Sequence, residues 1–220
     1  MTIAAKICGL RDAAAVEAAV DGGAAYLGFV FYPPSPRDVT PRLCAELVAA
    51  APPSVRTVGV MVNPDDEFLR NLFDLVKLDY VQLHGSESPA RAKAVRGLTG
   101  AQVIKAVKVA GAGDVEVASD YVEAADVVLF DAKPPKVGDG ILPGGNALSF
   151  DWQLIADHPS PAGGLPWILS GGLDMDNVAE AVRISGARAV DVSSGVERAP
   201  GDKDPDRIRQ FLTTVASLET

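Results

Sequence analysis

The sequence predicts an α/β protein, a closed parallel (β/α)8 barrel of the TIM type, as a single domain over residues 1–220. Three observations predict it. Eight short apolar runs rich in Val, Ile and Phe recur along the chain, each about the length of a buried strand. The runs read apolar throughout and alternate with amphipathic stretches, as parallel strands covered on both faces do. The competing doubly wound sheet needs fewer strands and a Gly-rich turn after the first. Here that turn is Cys8-Gly9-Leu10-Arg11, with no GxGxxG.

The strand runs fall at 4–8, 26–31, 56–62, 80–83, 103–107, 127–130, 167–169 and 189–192. Helix signals lie between them. Thr40-Pro41 pairs an N-cap with a proline at the first helical position, ahead of Leu43, Leu47 and Val48. Asn63-Pro64 is expected to do the same, with Asp65, Asp66 and Glu67 favoured in the first turn by the helix dipole. Phe68, Leu69, Leu72, Phe73 and Val76 then form one apolar face. Ser88-Pro89 opens a helix carrying Ala92 and Val95. The fifth helix is weakly marked: Val115, Ala118 and Val122 are spaced helically, but Gly111 and Gly113 precede them. The sixth, near Trp152 to Ile155, reads as very short and follows a Gly- and Pro-rich loop over 133–148. A loop that long in a compact domain is usually functional. Asp174 is expected to cap a helix with Val178, Ala181 and Val182, ended by Gly186. Asp204-Pro205 opens the last, with Ile208, Phe211, Leu212 and Val215 inward.

Composition narrows the function. Hydrophobic residues at 48% and charged residues at 22% describe a globular chain, not a disordered one. No apolar run reaches the roughly 18–20 residues that span a membrane. The first residues lack a charged segment followed by a long apolar stretch, so no secretory signal is expected and the chain is placed in the cytoplasm. A net charge of -9 argues against a nucleic-acid partner but not against one small phosphorylated ligand held by local donors. Cys8 and Cys44 make no disulfide framework; they fit a reducing compartment or a working thiol.

Barrel active sites lie at the C-terminal ends of the strands, so the polar residues there should share one mouth. Cys8 closes the first strand. It reads either as a small buried residue or as a thiol whose ordinary pKa of about 8.5 can be tuned into a base. Asp131 follows four apolar residues. It is either a loop cap or ion pair with Lys133, or a general acid kept protonated by an apolar setting. Ser170-Gly171-Gly172 and Ser193-Ser194-Gly195 follow the seventh and eighth strands, the usual phosphate loops of such barrels. Asp191 shares a side of its strand with Ser193 and either reaches a ribose hydroxyl or fixes a neighbouring loop. Arg37, on the stiff loop Tyr32-Pro33-Pro34-Ser35-Pro36-Arg37, suits a ligand carboxylate unless it is simply solvated. Gln82 and His84 are two apart, so both face the barrel interior or both serve as satisfied core polar groups. Lys6 shares a face with Cys8 at a deeper level. No His, Cys or carboxylate cluster has metal-ligand spacing, so no metal is expected.

These residues stand in runs that resemble the phosphoribosylanthranilate isomerase family. The runs are Lys6-Ile7-Cys8-Gly9-Leu10, Gly28-Phe29-Val30-Phe31, Ser35-Pro36-Arg37, Val81-Gln82-Leu83-His84-Gly85, Leu129-Phe130-Asp131, Phe150-Asp151-Trp152, Leu169 to Leu173 and Val190 to Glu197. They span nearly the whole chain in order. One departure is Gly144-Gly145-Asn146-Ala147, where the family often has Gly-Gly-Thr-Gly. The resemblance implies an Amadori rearrangement of N-(5-phosphoribosyl)anthranilate to 1-(2-carboxyphenylamino)-1-deoxyribulose 5-phosphate, in tryptophan biosynthesis. It implies Cys8 as the base at ribose C2, Asp131 as the acid at the ring oxygen, Arg37 on the anthranilate carboxylate, and the last two loops on the phosphate. No redox step occurs, so no cofactor is expected. A monomer or a homodimer suits the architecture. The rivals are a histidine-pathway phosphoribosyl isomerase, expected to carry a carboxylate base where Cys8 stands, the indole-forming synthase, expected to carry a lysine there, and an inert phosphosugar-binding barrel.

Overall fold

The computed structural model describes residues 2–134, 144–145 and 148–218. Eight parallel strands close into a barrel in chain order: β1 (Ala4–Cys8), β2 (Tyr26–Phe31), β3 (Arg56–Met61), β4 (Tyr80–Leu83), β5 (Gln102–Val109), β6 (Val127–Ala132), β7 (Trp167–Leu169) and β8 (Ala189–Val192). β8 pairs with β1 to complete the ring. A helix follows each strand: α1 (Ala13–Asp21), α2 (Pro41–Ala49), α3 (Asp66–Leu75), α4 (Pro89–Thr99), α5 (Ala112–Glu116), α6 (Gln153–Ala156), α7 (Val178–Ser185) and α8 (Pro205–Ala216). A small antiparallel hairpin, β9 (Glu197–Ala199) and β10 (Asp202–Lys203), sits between β8 and α8.

Both faces of the strands are buried, which is why the runs read apolar without a break. Outward residues such as Ile7, Leu27, Phe29, Val81 and Val190 pack against Ala15, Leu47, Leu72, Val95 and Phe211 of the helices. Inward residues such as Val58, Val60, Ile104, Leu129 and Ile168 fill the barrel centre. The inner face turns polar toward the C-terminal ends, where Gln82, His84, Asp131 and Asp191 stand.

The caps mostly follow the sequence signals. Thr40 Oγ1 accepts from Leu43 N, Ser88 Oγ from Arg91 N, and Asp204 from Asp206 N and Arg207 N. Two expectations are corrected. Asp65, not Asn63, caps α3 by accepting from Phe68 N at 2.8 Å. Asn63 instead has a φ of 48° and its Oδ1 accepts from Ser86 N, joining two loops. Asp174 does not cap α7. It ties the turn before the helix by accepting from Asp176 N and Asn177 N, and Asn177 is the first flanking residue. Val122, placed on the fifth helix by spacing, lies beyond α5 and the 3-10 turn that continues it.

β6 runs two residues further than expected, so Asp131 is part of the strand and not of the following loop. Its backbone position is therefore fixed by the barrel ladder, opposite Lys108 of β5. No helix among the described residues is long and apolar enough to cross a membrane.

Candidate active site

A cleft enclosing about 830 Å³, its open mouth included, lies at the C-terminal ends of the strands. Cys8, Arg37, Gln82, His84, Asp131, Ser170, Gly171, Gly172, Asp191, Ser193 and Ser194 all line it. These residues come from both ends and the middle of the chain, and barrel closure alone brings them together.

Cys8 ends β1 with its thiol in the cleft wall and 7% of its surface exposed. Its carbonyl accepts from Ser193 Oγ at 3.1 Å, which ties it to the loop after β8. Burial pushes its thiol above the usual range, and the charge of Lys6 pulls in the other direction. Lys6 is fully buried and does not line the cleft, in keeping with the deeper level expected of it.

Asp131 does not pair with Lys133, which is held by Asp114 at 2.7 Å. Nor is its setting simply apolar, as the acid role suggested. Asp131 Oδ2 lies 3.1 Å from His84 Nε2, and His84 Nδ1 lies 2.9 Å from the Gln82 amide nitrogen. A proton carried on Nε2 would point at Asp131. Gln82 and His84 are thus both in the cleft and in a chain of polar contacts that aims the carboxyl group. The loop after β4 is anchored by Glu87, whose carboxylate accepts from Asn63 N and Gly85 N and pairs with buried Lys105 at 2.7 Å.

Arg37 is buried, so the solvated reading fails. Its Nε and Nη2 each donate to Glu197 at 2.8 Å, and Nη2 also donates to Gly145 O at 3.3 Å. Glu197 is shared with Lys203, whose Nζ lies 2.6 Å away and also donates to Ser193 O. The three charges sum to one positive, and Arg37 presents it to the cleft. Burial raises the Glu197 carboxyl, but Arg37 and Lys203 outweigh that and hold it below the usual carboxylate range.

Gly171 and Gly172 have φ of 91° and 61°, a left-handed pair that only glycine adopts freely. A side chain at Gly172 would also stand 2.8 Å from the Leu148 carbonyl carbon, so the loop after β6 passes directly over this turn. Asp191 Oδ2 accepts from Ser170 Oγ at 3.1 Å, so Asp191 fixes the loop after β7. Gly195 does not line the cleft. It packs behind, where a Cβ would run into the Leu173 carbonyl and Asp174.

The profile of the N-(5'-phosphoribosyl)anthranilate isomerase family matches residues 5–214. The N-(5'-phosphoribosyl)anthranilate isomerase of Paracoccus denitrificans is 54% identical over 212 residues, covering 96% of each chain. The chain belongs to the phosphoribosylanthranilate isomerase family. Among solved structures, a phosphoribosylanthranilate isomerase in complex with reduced 1-(o-carboxyphenylamino)-1-deoxyribulose 5-phosphate superposes with a TM-score of 0.84 at 35% identity, covering 99% of this chain and 100% of that one. Monomers made from the dimeric phosphoribosylanthranilate isomerase of Thermotoga maritima superpose with a TM-score of 0.83 at 35% identity and the same coverage.

Three members of the polar framework have no counterpart in the sequence analysis. Glu197 sat at the edge of the last matching run but had no assigned partner. Lys203 lies on a two-residue strand with no local signal. Glu87 reads as one more loop acid. Their roles are fixed by contacts to residues far along the chain, which spacing does not report. The departure at Asn146-Ala147 lies outside the described residues, as does much of the 133–148 loop. Gly144 and Gly145, which precede the departure, line the cleft.

Proposed function

We propose that the chain converts N-(5'-phosphoribosyl)anthranilate to 1-(2-carboxyphenylamino)-1-deoxyribulose 5-phosphate, as the isomerase of tryptophan biosynthesis. The observation that carries the reading is one cleft lined by a thiol, a carboxyl group, a buried arginine and two Gly-Ser loops. Asp131 gives a proton to the ribose ring oxygen as the C1–O bond breaks, and the anilino nitrogen lone pair forms the C=N bond. Cys8, as thiolate, removes the C2 proton, and the electron pair moves toward nitrogen to give the enolamine. Return of a proton to C1 and loss of the enol proton complete the ketone. Acid and base of different chemistry on separate strands can serve both steps.

Arg37 holds the anthranilate carboxylate, and the loops at Ser170 to Gly172 and at Ser193 and Ser194 hold the phosphate. A charge-assisted hydrogen bond contributes about 1.5–3 kcal/mol. Arg37→Ala is therefore expected to raise KM roughly ten- to a hundredfold, with kcat little changed. Unaltered KM in steady-state kinetics would return Arg37 to a purely structural role.

A working thiol needs a reducing compartment, so we place the enzyme in the cytoplasm. Every group named above comes from one chain, so a monomer and a homodimer are equally able to act. The test of the whole reading is a fluorescence assay with freshly made phosphoribosylanthranilate. Loss of the anthranilate signal at an enzyme-dependent rate supports it. No turnover by folded protein, with or without the next pathway enzyme to draw off product, sinks it.

A further inference from the structure

The proton chemistry above makes no use of Lys6, although its side chain is among the largest in the molecule with no exposed surface. An unpaired ammonium there would be costly, so the chain must hold it for a reason. Lys6 stands two residues before Cys8 on β1, and both face the barrel interior. Its Nζ lies 2.8 Å from Asp191 Oδ1, and Lys6 and Asp191 are register partners on neighbouring strands. On the other side of β1, the register partner of Cys8 is Gly28. A Cβ on Gly28 would stand 3.0 Å from Lys6 Nζ and 3.1 Å from Cys8 Sγ. The ammonium and the sulfur therefore border one small space, no more than about 6 Å apart, a range at which an opposite charge favours the ionised form.

We propose that Lys6, fixed by Asp191, is a positioning residue whose ammonium supplies the counter-charge for the Cys8 thiolate across the space left by Gly28. The other charged groups around the thiol are Asp191 from β8, which opposes Lys6, and Lys203 from β10, which acts with it more weakly. Lys203 and Arg37 share Glu197, whereas Lys6 borders the thiol across Gly28 and is the stronger of the two cationic influences on it. Asp191 has two tasks. One oxygen holds the lysine and the other holds Ser170, so the setting of the base and the seating of the phosphate loop share one carboxylate. The purpose of this device rests on Cys8 being the base, but the device itself is measurable without turnover.

The test is the rate of Cys8 alkylation by iodoacetamide in the full chain, resolved from Cys44 by peptide mass spectrometry, between about pH 6 and 10. Lys6→Met should slow alkylation near neutral pH about tenfold, equivalent to one pKa unit. Asp191→Asn should speed it. Lys6→Met leaves Asp191 buried and unpaired, so the double variant Lys6→Met/Asp191→Asn carries the decision, since it keeps the interior neutral. Slower alkylation in the double variant than in the unaltered protein supports the proposal. Alkylation at the unaltered rate overturns it, because the unpaired aspartate then accounts for the single variant. The pH profile of kcat/KM separates this from the functional reading. If alkylation shifts while the rising limb of activity stays in place, Lys6 sets the thiol but Cys8 is not the base.

Discussion

Replacing Cys8 with alanine is expected to lower kcat by about 10²- to 10⁴-fold, the usual contribution of a general base, with little change in KM. Cys8 lines the cleft at the top of the inner core, and alanine keeps its Cβ, so the change removes one sulfur atom beside the cleft. Serine at the same position should be nearly as poor, because an alcohol is far less acidic than a thiol. The pH dependence carries the sign. Burial pushes the Cys8 thiol above its ordinary value, with Lys6 opposing, so the thiolate is the minor form near neutrality. The thiolate fraction, and with it kcat/KM, should rise as pH is raised through the range between neutral and the thiol pKa. That rising limb should vanish in Cys8→Ala. Steady-state kinetics over pH, with circular dichroism to show an intact barrel, decide the matter. A Cys8→Ala enzyme with near-normal kcat and an unchanged limb takes the thiol out of the chemistry.

Why a thiol at this position can be the base was partly visible in the chain and partly not. The alternation of apolar runs and capped helices places Cys8 at a strand end, and barrel geometry then puts it at the mouth. That inference needs only local periodicity and one topological rule, and it also located Asp131, Ser170 and Ser193. The electrostatics were not visible. Lys6 and Asp191 lie 185 residues apart, and only closure of β1 on β8 makes them neighbours. The same holds for Arg37 and Glu197, 160 residues apart. Arg37 was legible as a ligand-binding candidate because its proline-rich loop is stiff, but not the Glu197 contact that fixes its fork. Helix starts failed where two candidate caps stood close together. Asn63 and Asp65 both suit an N-cap, and the structure uses the one whose backbone remains extended, since Asn63 is committed to a left-handed turn between loops. α1 had no cap assigned in the sequence reading, although Asp12 accepts from Ala15 N at 2.9 Å. Its small residues (Ala15, Ala18 and Ala19 are fully buried) let the helix lie close on the barrel but give a weak amphipathic pattern.

Asp131→Asn should be as damaging as loss of the thiol, again about 10²- to 10⁴-fold in kcat, and for a separable reason. Asparagine has nearly the same shape, and its amide oxygen can still accept the His84 Nε2 proton at the position Oδ2 now holds, 3.1 Å away. The polar chain from Gln82 through His84 therefore survives, and so do the fold and the cleft. What asparagine lacks is a proton it can give to the ribose ring oxygen, so C1–O cleavage loses its acid. The defect should persist at every pH, because no titration of an amide restores a donor in the accessible range. It also lies on a different step from the Cys8 defect. If C1–O cleavage precedes proton removal from C2, the Cys8→Ala/Asp131→Asn pair should be little slower than the slower single variant, since one blocked step already limits turnover. His84→Gln tests the orienting contact separately. It removes the ring donor while leaving the acid, so a loss smaller than that of Asp131→Asn is expected, with KM close to normal. An Asp131→Asn enzyme that turns over at the unaltered rate would assign the proton on the ring oxygen to another donor, and His84, the next polar group along that wall of the cleft, would be the first to examine.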